Sequence, residues 1–330
     1  MLIKTPARLP SRGGFFCLLF CSLCAQGQPA EPFATRDQNP LVAVYGLPLP
    51  VNARLLPAGD SQWLTAFNIT NTLNVDSADT SDLVVDTETT RLDLVYDYGL
   101  PNDWMLRLQF GVLHHGAGYF DSWIYDYHDF LGLKQGDRAN VPDDQFQIHV
   151  SDSSSTLLNL QTATSGLTDT QIQLGKQLSR DTSHATSLWA SLKLPTGDQD
   201  KLSGSGHGDF ALWLAMQQQN GDAIWIYSQL GGLYMPDTGV LTPLHRHSAW
   251  FGNLGISYTH NEWLQLKTQL DAHSPVYNSQ LDFLDSAIQL TFGGTISLDK
   301  KNMIDIAMSE DIKTRTSPDV TLNITWAIQF

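Results

Sequence analysis

From Val320 to Phe330 the chain alternates. Val320, Leu322, Ile324, Trp326, Ile328 and Phe330 are apolar, and Thr321, Asn323, Thr325, Ala327 and Gln329 between them are polar or small. Successive side chains of a strand point to opposite faces, so this segment is greasy on one side and polar on the other. The same period returns upstream. Ile288, Leu290, Phe292, Ile296 and Leu298 alternate with Gln289, Thr291, Gly293, Thr295 and Ser297, and Leu264, Leu266 and Leu270 with Gln265, Lys267, Gln269 and Asp271. Nearer the start, Trp104, Leu106, Leu108, Phe110 and Val112 enclose Arg107 and Gln109, and Trp63, Phe67 and Ile69 enclose Asn68 and Thr70. No stretch after the first thirty residues approaches the roughly 20 apolar residues of a membrane helix.

A soluble antiparallel sandwich also alternates. Two features favour strands that cross a membrane. They run for about 9–11 residues or more, as a tilted crossing needs, against roughly five or six in globular sheets. Trp63, Trp104, Trp250, Trp263 and Trp326, with Tyr98 and Tyr258, sit at strand ends, where aromatic girdles meet the lipid–water boundary.

Connection lengths supply a test. Short turns at 99–103, 179–184, 218–222, 260–262 and 299–302 alternate with longer connections at 76–83, 116–167, 195–207, 234–247, 274–285 and 312–318. Short periplasmic turns and long external loops are the rule of outer-membrane barrels. The pattern predicts twelve strands, near 61–75, 84–98, 104–115, 168–178, 185–194, 208–217, 223–233, 248–259, 263–273, 286–298, 303–311 and 319–330. The expected fold is thus all-β: one closed antiparallel transmembrane barrel. Runs at 145–150 and 156–161 raise the count to fourteen if they cross, but both are short for that and are assigned to the long loop.

The first residues set the address. Lys4, Arg8 and Arg12 precede an uncharged apolar run from Phe15 to Ala25, and Ala25-Gln26-Gly27 offers small residues for cleavage. This is the form of a secretory signal at 1–27, which directs the chain to the periplasm and then to the outer membrane of a Gram-negative cell. Residues 28–60 then form a segment that is periplasmic or lumenal. Cys17, Cys21 and Cys24, the three cysteines of the 330 residues, all fall inside the signal, so the remainder is expected to carry no disulfide. Cleavage removes three positive charges and no acidic ones, taking the formal net charge from −15 to −18. So acidic a chain is a poor partner for nucleic acid. The expected partners are outer-membrane lipid, the barrel-assembly machinery through the last strand ending at Phe330, and a small solute.

In the long loop, Phe120, Trp123, Ile124, Tyr127, Phe130 and Leu131 recur at helical spacing with Asp121, Asp126, His128 and Asp129 between them, which predicts a short amphipathic helix ended by Gly132. Loops of this length fold into the lumen or cap the rim. Phe120, Trp123, Tyr127, His128, Asp129 and Phe130 are therefore candidates for a constriction or lid. Arg107, Gln109, Gln265, Lys267, Gln269, Asp271 and Asn323 are candidates for the lumen lining, a wall suited to neutral or cationic small solutes. Alternatively such residues bond one another and plug the barrel.

Catalytic and metal readings are weaker. His114 and His115 face opposite sides of a strand and cannot share an ion. His245 and His247 share a face but lie in a loop without an obvious carboxylate. Ser205, His207 and Asp209 lie on one side if extended, yet nothing marks a nucleophile elbow. Neither a catalytic group nor a cofactor is expected. The leading reading is a passive channel; the alternatives are a structural or adhesion barrel, then a rim hydrolase.

The stretches Asn39-Pro40-Leu41 with Gly46-Leu47-Pro48, and Trp123-Ile124-Tyr125-Asp126-Tyr127-His128-Asp129-Phe130-Leu131-Gly132-Leu133, resemble the Gram-negative outer-membrane family known as domain of unknown function 3187. The resemblance extends over about residues 39–330. It implies a barrel and an outer-membrane address, and it carries no catalytic residue over. The turn Leu192-Lys193-Leu194-Pro195-Thr196-Gly197-Asp198 also resembles barrels linked to uptake of aromatic compounds.

Overall fold

The computed structural model describes residues 31–120, 126, 144–153, 155–237, 239–313 and 315–330. Twelve strands close a barrel: β1 (Ser61–Ala78), β2 (Ser81–Leu100), β3 (Trp104–Gly116), β7 (Thr170–Arg180), β8 (His184–Leu194), β9 (Asp209–Asn220), β10 (Ile224–Tyr234), β11 (Ser248–Thr259), β12 (Leu264–His273), β13 (Ala287–Ser297), β14 (Asn302–Asp311) and β15 (Val320–Gln329). Closure is antiparallel between β1 and β15, from Gln62 opposite Gln329 to Asn71 opposite Val320. All twelve coincide with the strands the alternation predicts, because one residue row must face lipid along the whole crossing.

Three shorter strands, β4 (Gln147–Asp152), β5 (Ser155–Leu160) and β6 (Thr164–Leu167), belong to the long loop. The β4–β5 hairpin forms where the sequence places it. It does not cross. β2 outruns the bilayer, pairing with β3 over Glu88–Leu100 and with β4 over Ser81–Asp86. The connection expected at 76–83 is likewise a correction: β1 and β2 continue to Ala78 and Ser81, and Asp79 and Thr80 close a tight hairpin with Asp79 at φ 47°. The amphipathic helix and the lid residues Trp123, Tyr127, His128, Asp129 and Phe130 lie outside the described residues. Phe120 is described, and its amide donates to Glu88 Oε2 at 3.2 Å.

β6 and β7 are one ribbon along β3 with an extra residue. Val112 faces Leu167 and Gln109 faces Gln171, so three residues oppose two. Such a bulge turns consecutive side chains to unequal faces. Thr168 and Asp169 are both buried as a result, and Asp169 reaches Lys193 at 2.7 Å.

The outward row is exposed as a lipid-facing row must be: Phe210, Leu212, Leu214, Leu230, Leu254, Ile256 and Ile324 among it, with Trp63, Tyr98, Trp104, Trp250, Tyr258, Trp263 and Trp326 at the ends. Leu230, at 63% exposure, lies near the middle of β10. An arginine there is expected to destabilise the barrel by about 2–4 kcal/mol, the range for a cation at the bilayer midplane. Chemical denaturation in phospholipid vesicles measures it; an unchanged midpoint would place β10 out of the hydrocarbon.

Candidate functional site

The lumen is occupied by the chain's own residues 31–60, which rise along one wall, turn, and descend along another. The rising arm follows β12 in constant register. Lys267 Nζ donates to Glu31 O (3.0 Å), Phe33 N to Gln269 Oε1 (3.0 Å) and Thr35 Oγ1 to Asp271 Oδ2 (2.9 Å). His273 Nε2 meets Asp37 Oδ2 at 2.8 Å, and Tyr277 Oη donates to Leu41 O at 2.7 Å. Every pair is 236 residues apart; the first four join two extended segments that present alternate residues to each other, and Leu41 with Tyr277 keeps the offset in the turn and loop beyond them.

Opposite this row, Arg36 crosses to β2. Its Nη2 lies 3.0 and 3.3 Å from the Asp93 carboxylate, which also accepts two bonds from Arg91 and one from Gln109. Asp93 is fully buried. Close by, Arg107 holds Asp97 through two bonds of 2.7 Å. Bidentate guanidinium–carboxylate geometry is the strongest available to such pairs.

The turn at the top is locally encoded. Asn39 Oδ1 accepts from Leu41 N (3.0 Å), and Asn39 O accepts from the Val42 and Ala43 amides, an Asx-type turn beside Pro40. Descending, Gly46 N donates to Asp209 Oδ2 (2.8 Å), Val51 N to Gln229 Oε1 (3.3 Å) and Leu55 N to Gln177 Oε1 (2.9 Å). Leu47, Val51, Ala53 and Leu55 join a buried cluster with Met105, Trp189, Trp213 and Phe251 of the inner wall. Trp189 and Trp213 stack at 5.9 Å and 13°, and Phe251 meets Trp213 edge-on at 6.0 Å. Trp189 covers Gly175 on the neighbouring strand, where a Cβ would lie 2.8 Å from the ring. The barrel interior is thus polar along β12 and β1–β3 and aromatic along β8–β11.

Near the external end, Lys193 is the hub. Its Nζ lies 2.7 Å from Asp169, 3.0 Å from Asp209 and 3.0 Å from Val44 O, and contacts Ser205 Oγ. This ties the bulge, the 195–208 loop and the turn of the lumenal segment together.

All seven residues expected to line the lumen point inward. Arg107, Gln109, Gln265, Lys267, Gln269 and Asn323 are buried, and Asp271 is nearly so. They bond to residues 31–60 or to other inward residues of the wall: Lys267 pairs with Asp305 at 2.9 Å, and Asn323 donates to Asn68 at 2.8 Å. Small voids of about 30 and 20 Å³ remain beside the rising arm, enough for a water or two. His115 points inward to Thr89 Oγ1 at 2.7 Å while His114 faces Ser165 on the outside. Ser205 receives Lys193 and meets the His207 backbone carbonyl rather than a catalytic imidazole, and Asp209 is taken by Lys193 and Gly46. Sequence reasoning did not find the inward Trp189, Trp213 and Phe251 or the pairing of Arg36 with Asp93. The aromatics occupy the row opposite Leu188, Leu212 and Trp250, so a pattern apolar on both faces was their trace.

A closed antiparallel barrel with aromatic ends, a lipid-facing apolar band and one polar-to-aromatic interior has the fold of outer-membrane channels. The chain belongs to the family described as protein of unknown function (DUF3187), whose model matches residues 15–330. No curated protein matches it by sequence. Among solved structures it is similar to the COG4313 outer membrane channel from Pseudomonas putida F1, at a TM-score of 0.57 and 14% identity over 85% of this chain and 99% of that one. It is more distantly similar to the P. putida toluene transporter TodX (TM-score 0.41, 11% identity, 93% and 96% covered) and to the NanC porin (0.45, 7%, 81% and 98%).

Proposed function

We propose that the protein is a passive outer-membrane channel for small solutes, and that residues 31–60 are its gate, seen here in place. One observation carries the reading. Between Glu31 and Leu56, every hydrogen bond to the wall described above uses a side chain on one partner, and the backbone-to-backbone bonds in this stretch stay within its own turn. Leaving the wall therefore breaks no sheet ladder, and the barrel keeps all its strand pairings. Backbone pairing with a neighbouring strand begins at Gly59, which exchanges bonds with Gly99 through Asp60. In this reading the chain arrives by secretion, with 1–27 removed, and no catalytic step is assigned to it.

The complete burial of Phe33 and Leu41 favours a second reading, a permanently plugged structural barrel. A reversible cross-link separates the two. Thr35→Cys with Asp271→Cys places two thiols where a hydrogen bond now joins the side chains. Under oxidation, single-channel current in planar bilayers should vanish, and it should return on reduction. Current that ignores the cross-link removes residues 31–60 as the gate. No current from the reduced or the unmodified protein removes the channel.

A further inference from the structure

On the inner face of β9, β10 and β11, four side chains at least nine-tenths buried each carry a hydrogen-bond donor without a partner: Trp225 Nε1, Tyr227 Oη, Asn253 Nδ2 and Trp213 Nε1. Strand pairing sets them at successive levels. Asn253 lies opposite Gln229 and Trp213 opposite Gly231, so the four stand level with residues 225, 227, 229 and 231 of β10. Two strand residues rise roughly 7 Å, and the ladder spans about 20 Å from near the β9–β10 turn past the middle of β10. Gln217, level with Tyr227, is itself engaged.

A buried donor left unpaired costs stability, and native interiors hold few of them. The two arms of the lumenal segment treat their walls differently. On β12 the rising arm takes up Lys267, Gln269, Asp271 and His273. Opposite Trp213 and Gln229 the descending arm presents Leu47, Pro48, Pro50 and Val51, and none of these side chains has an acceptor. The closed bore thus uses the polar groups of β12 and leaves the donors of β9–β11 unused.

The chemistry of the ladder is one-sided. Indole and amide N–H groups only donate, and the phenol can donate as well. Trp225 packs with Tyr227, and Trp189, Trp213 and Phe251 continue the aromatic surface along the wall. The Tyr227 ring lies against Gly255, where a Cβ would come within 2.2 Å of it. A solute that suits this surface is planar, to stack on the rings, and carries acceptor atoms for the donors. It is also uncharged. Asp271 stands directly across from Asn253, which disfavours an anion, and a cation would bring donors to a row of donors.

The geometry points to a solute-binding strip on β9–β11, uncovered when residues 31–60 leave, for neutral planar ring compounds that bear carbonyl-type acceptors. The strip names the substrate class of the channel and rests on the channel reading. It excludes plain hydrocarbons as preferred solutes, because they would leave all four donors unpaired.

The test is block of open-channel current by caffeine, a neutral planar ring system with two carbonyl acceptors and no N–H. In planar bilayers caffeine should reduce the wild-type current saturably. Mannitol, neutral and of similar mass but neither planar nor aromatic, should leave it unchanged at the same concentration. Equal block by mannitol overturns the substrate class. Tyr227→Phe removes one hydroxyl and keeps the ring; it should raise the blocking concentration about fivefold, as the loss of one hydrogen bond does. Adding Trp225→Phe should take the rise to about tenfold or more, with the unblocked conductance kept because no charge changes. A blocking concentration that neither substitution moves overturns the strip and leaves the channel standing. Denaturant unfolding supplies the second readout. A hydroxyl reserved for solute has no partner in the closed protein, so Tyr227→Phe should hold or raise the midpoint. A clearly lowered midpoint assigns the hydroxyl to the closed structure and overturns its role in binding. Absence of current from the wild type under any condition removes the channel reading, and the strip with it.

Discussion

Deleting residues 31–56 should turn a gated barrel into a constitutively ion-conducting one. Eight-stranded barrels are filled by their own side chains and 16- to 18-stranded ones hold an aqueous channel, so roughly twelve strands leave a narrow bore once the inserted segment is gone. Removing it uncovers Arg91, Arg107, Lys193 and Lys267 against Asp93, Asp97, Asp169, Asp209, Asp271 and Asp305. The excess of carboxylates favours cations. Mean current in planar bilayers is expected to rise by at least about tenfold, with a reversal potential under a salt gradient that shows cation preference. Pro57–Asp60 are kept because Gly59 and Asp60 bond to Gly99 and seat β1. Heat-modifiable migration on gels reports that the deleted form is folded. A folded deletion that passes no more current than the parent would show that something other than this segment closes the bore.

The second large effect concerns stability. Asp93 is fully buried and accepts from Arg36, Arg91 and Gln109. Asp93→Ala strands two guanidinium groups, and removing one partner of a buried ionic cluster costs about 3–5 kcal/mol. Denaturant unfolding in detergent should show that loss. In the 31–56 deletion, where Arg36 is absent, the same substitution should cost clearly less, since a single arginine then remains to be left unpaired. Equal losses in both backgrounds would mean that Arg36 and Asp93 are not energetically coupled.

These two results bear on different parts of the molecule, and the parts differ in how they are encoded. The barrel is written in a local code. Trp104 to Val112 and Val320 to Phe330 alternate because lipid contacts one face of each strand for its whole length, and that requirement repeats at every second residue whatever the neighbours are. Strand count, strand direction and the inward placement of Arg107, Gln269 and Asn323 all follow from that period. The tight turn at Asp79–Thr80 did not, because strands extended beyond the bilayer lose the lipid constraint while remaining extended.

The interior was decided by the tertiary structure. Gln269, Asp271 and His273 form the same polar row whether they face water or Phe33, Thr35 and Asp37, and only the path of residues 31–60 chooses between the two. That path joins groups 236 positions apart, a separation at which no periodicity operates. Trp189 and Trp213 likewise became an inner wall only when Leu47 and Val51 arrived to cover them. Sequence alone determined the barrel, since one solvent acts on every strand alike. Closing its bore depended on which distant chain segment fills it, a matter of shape and pairing in three dimensions.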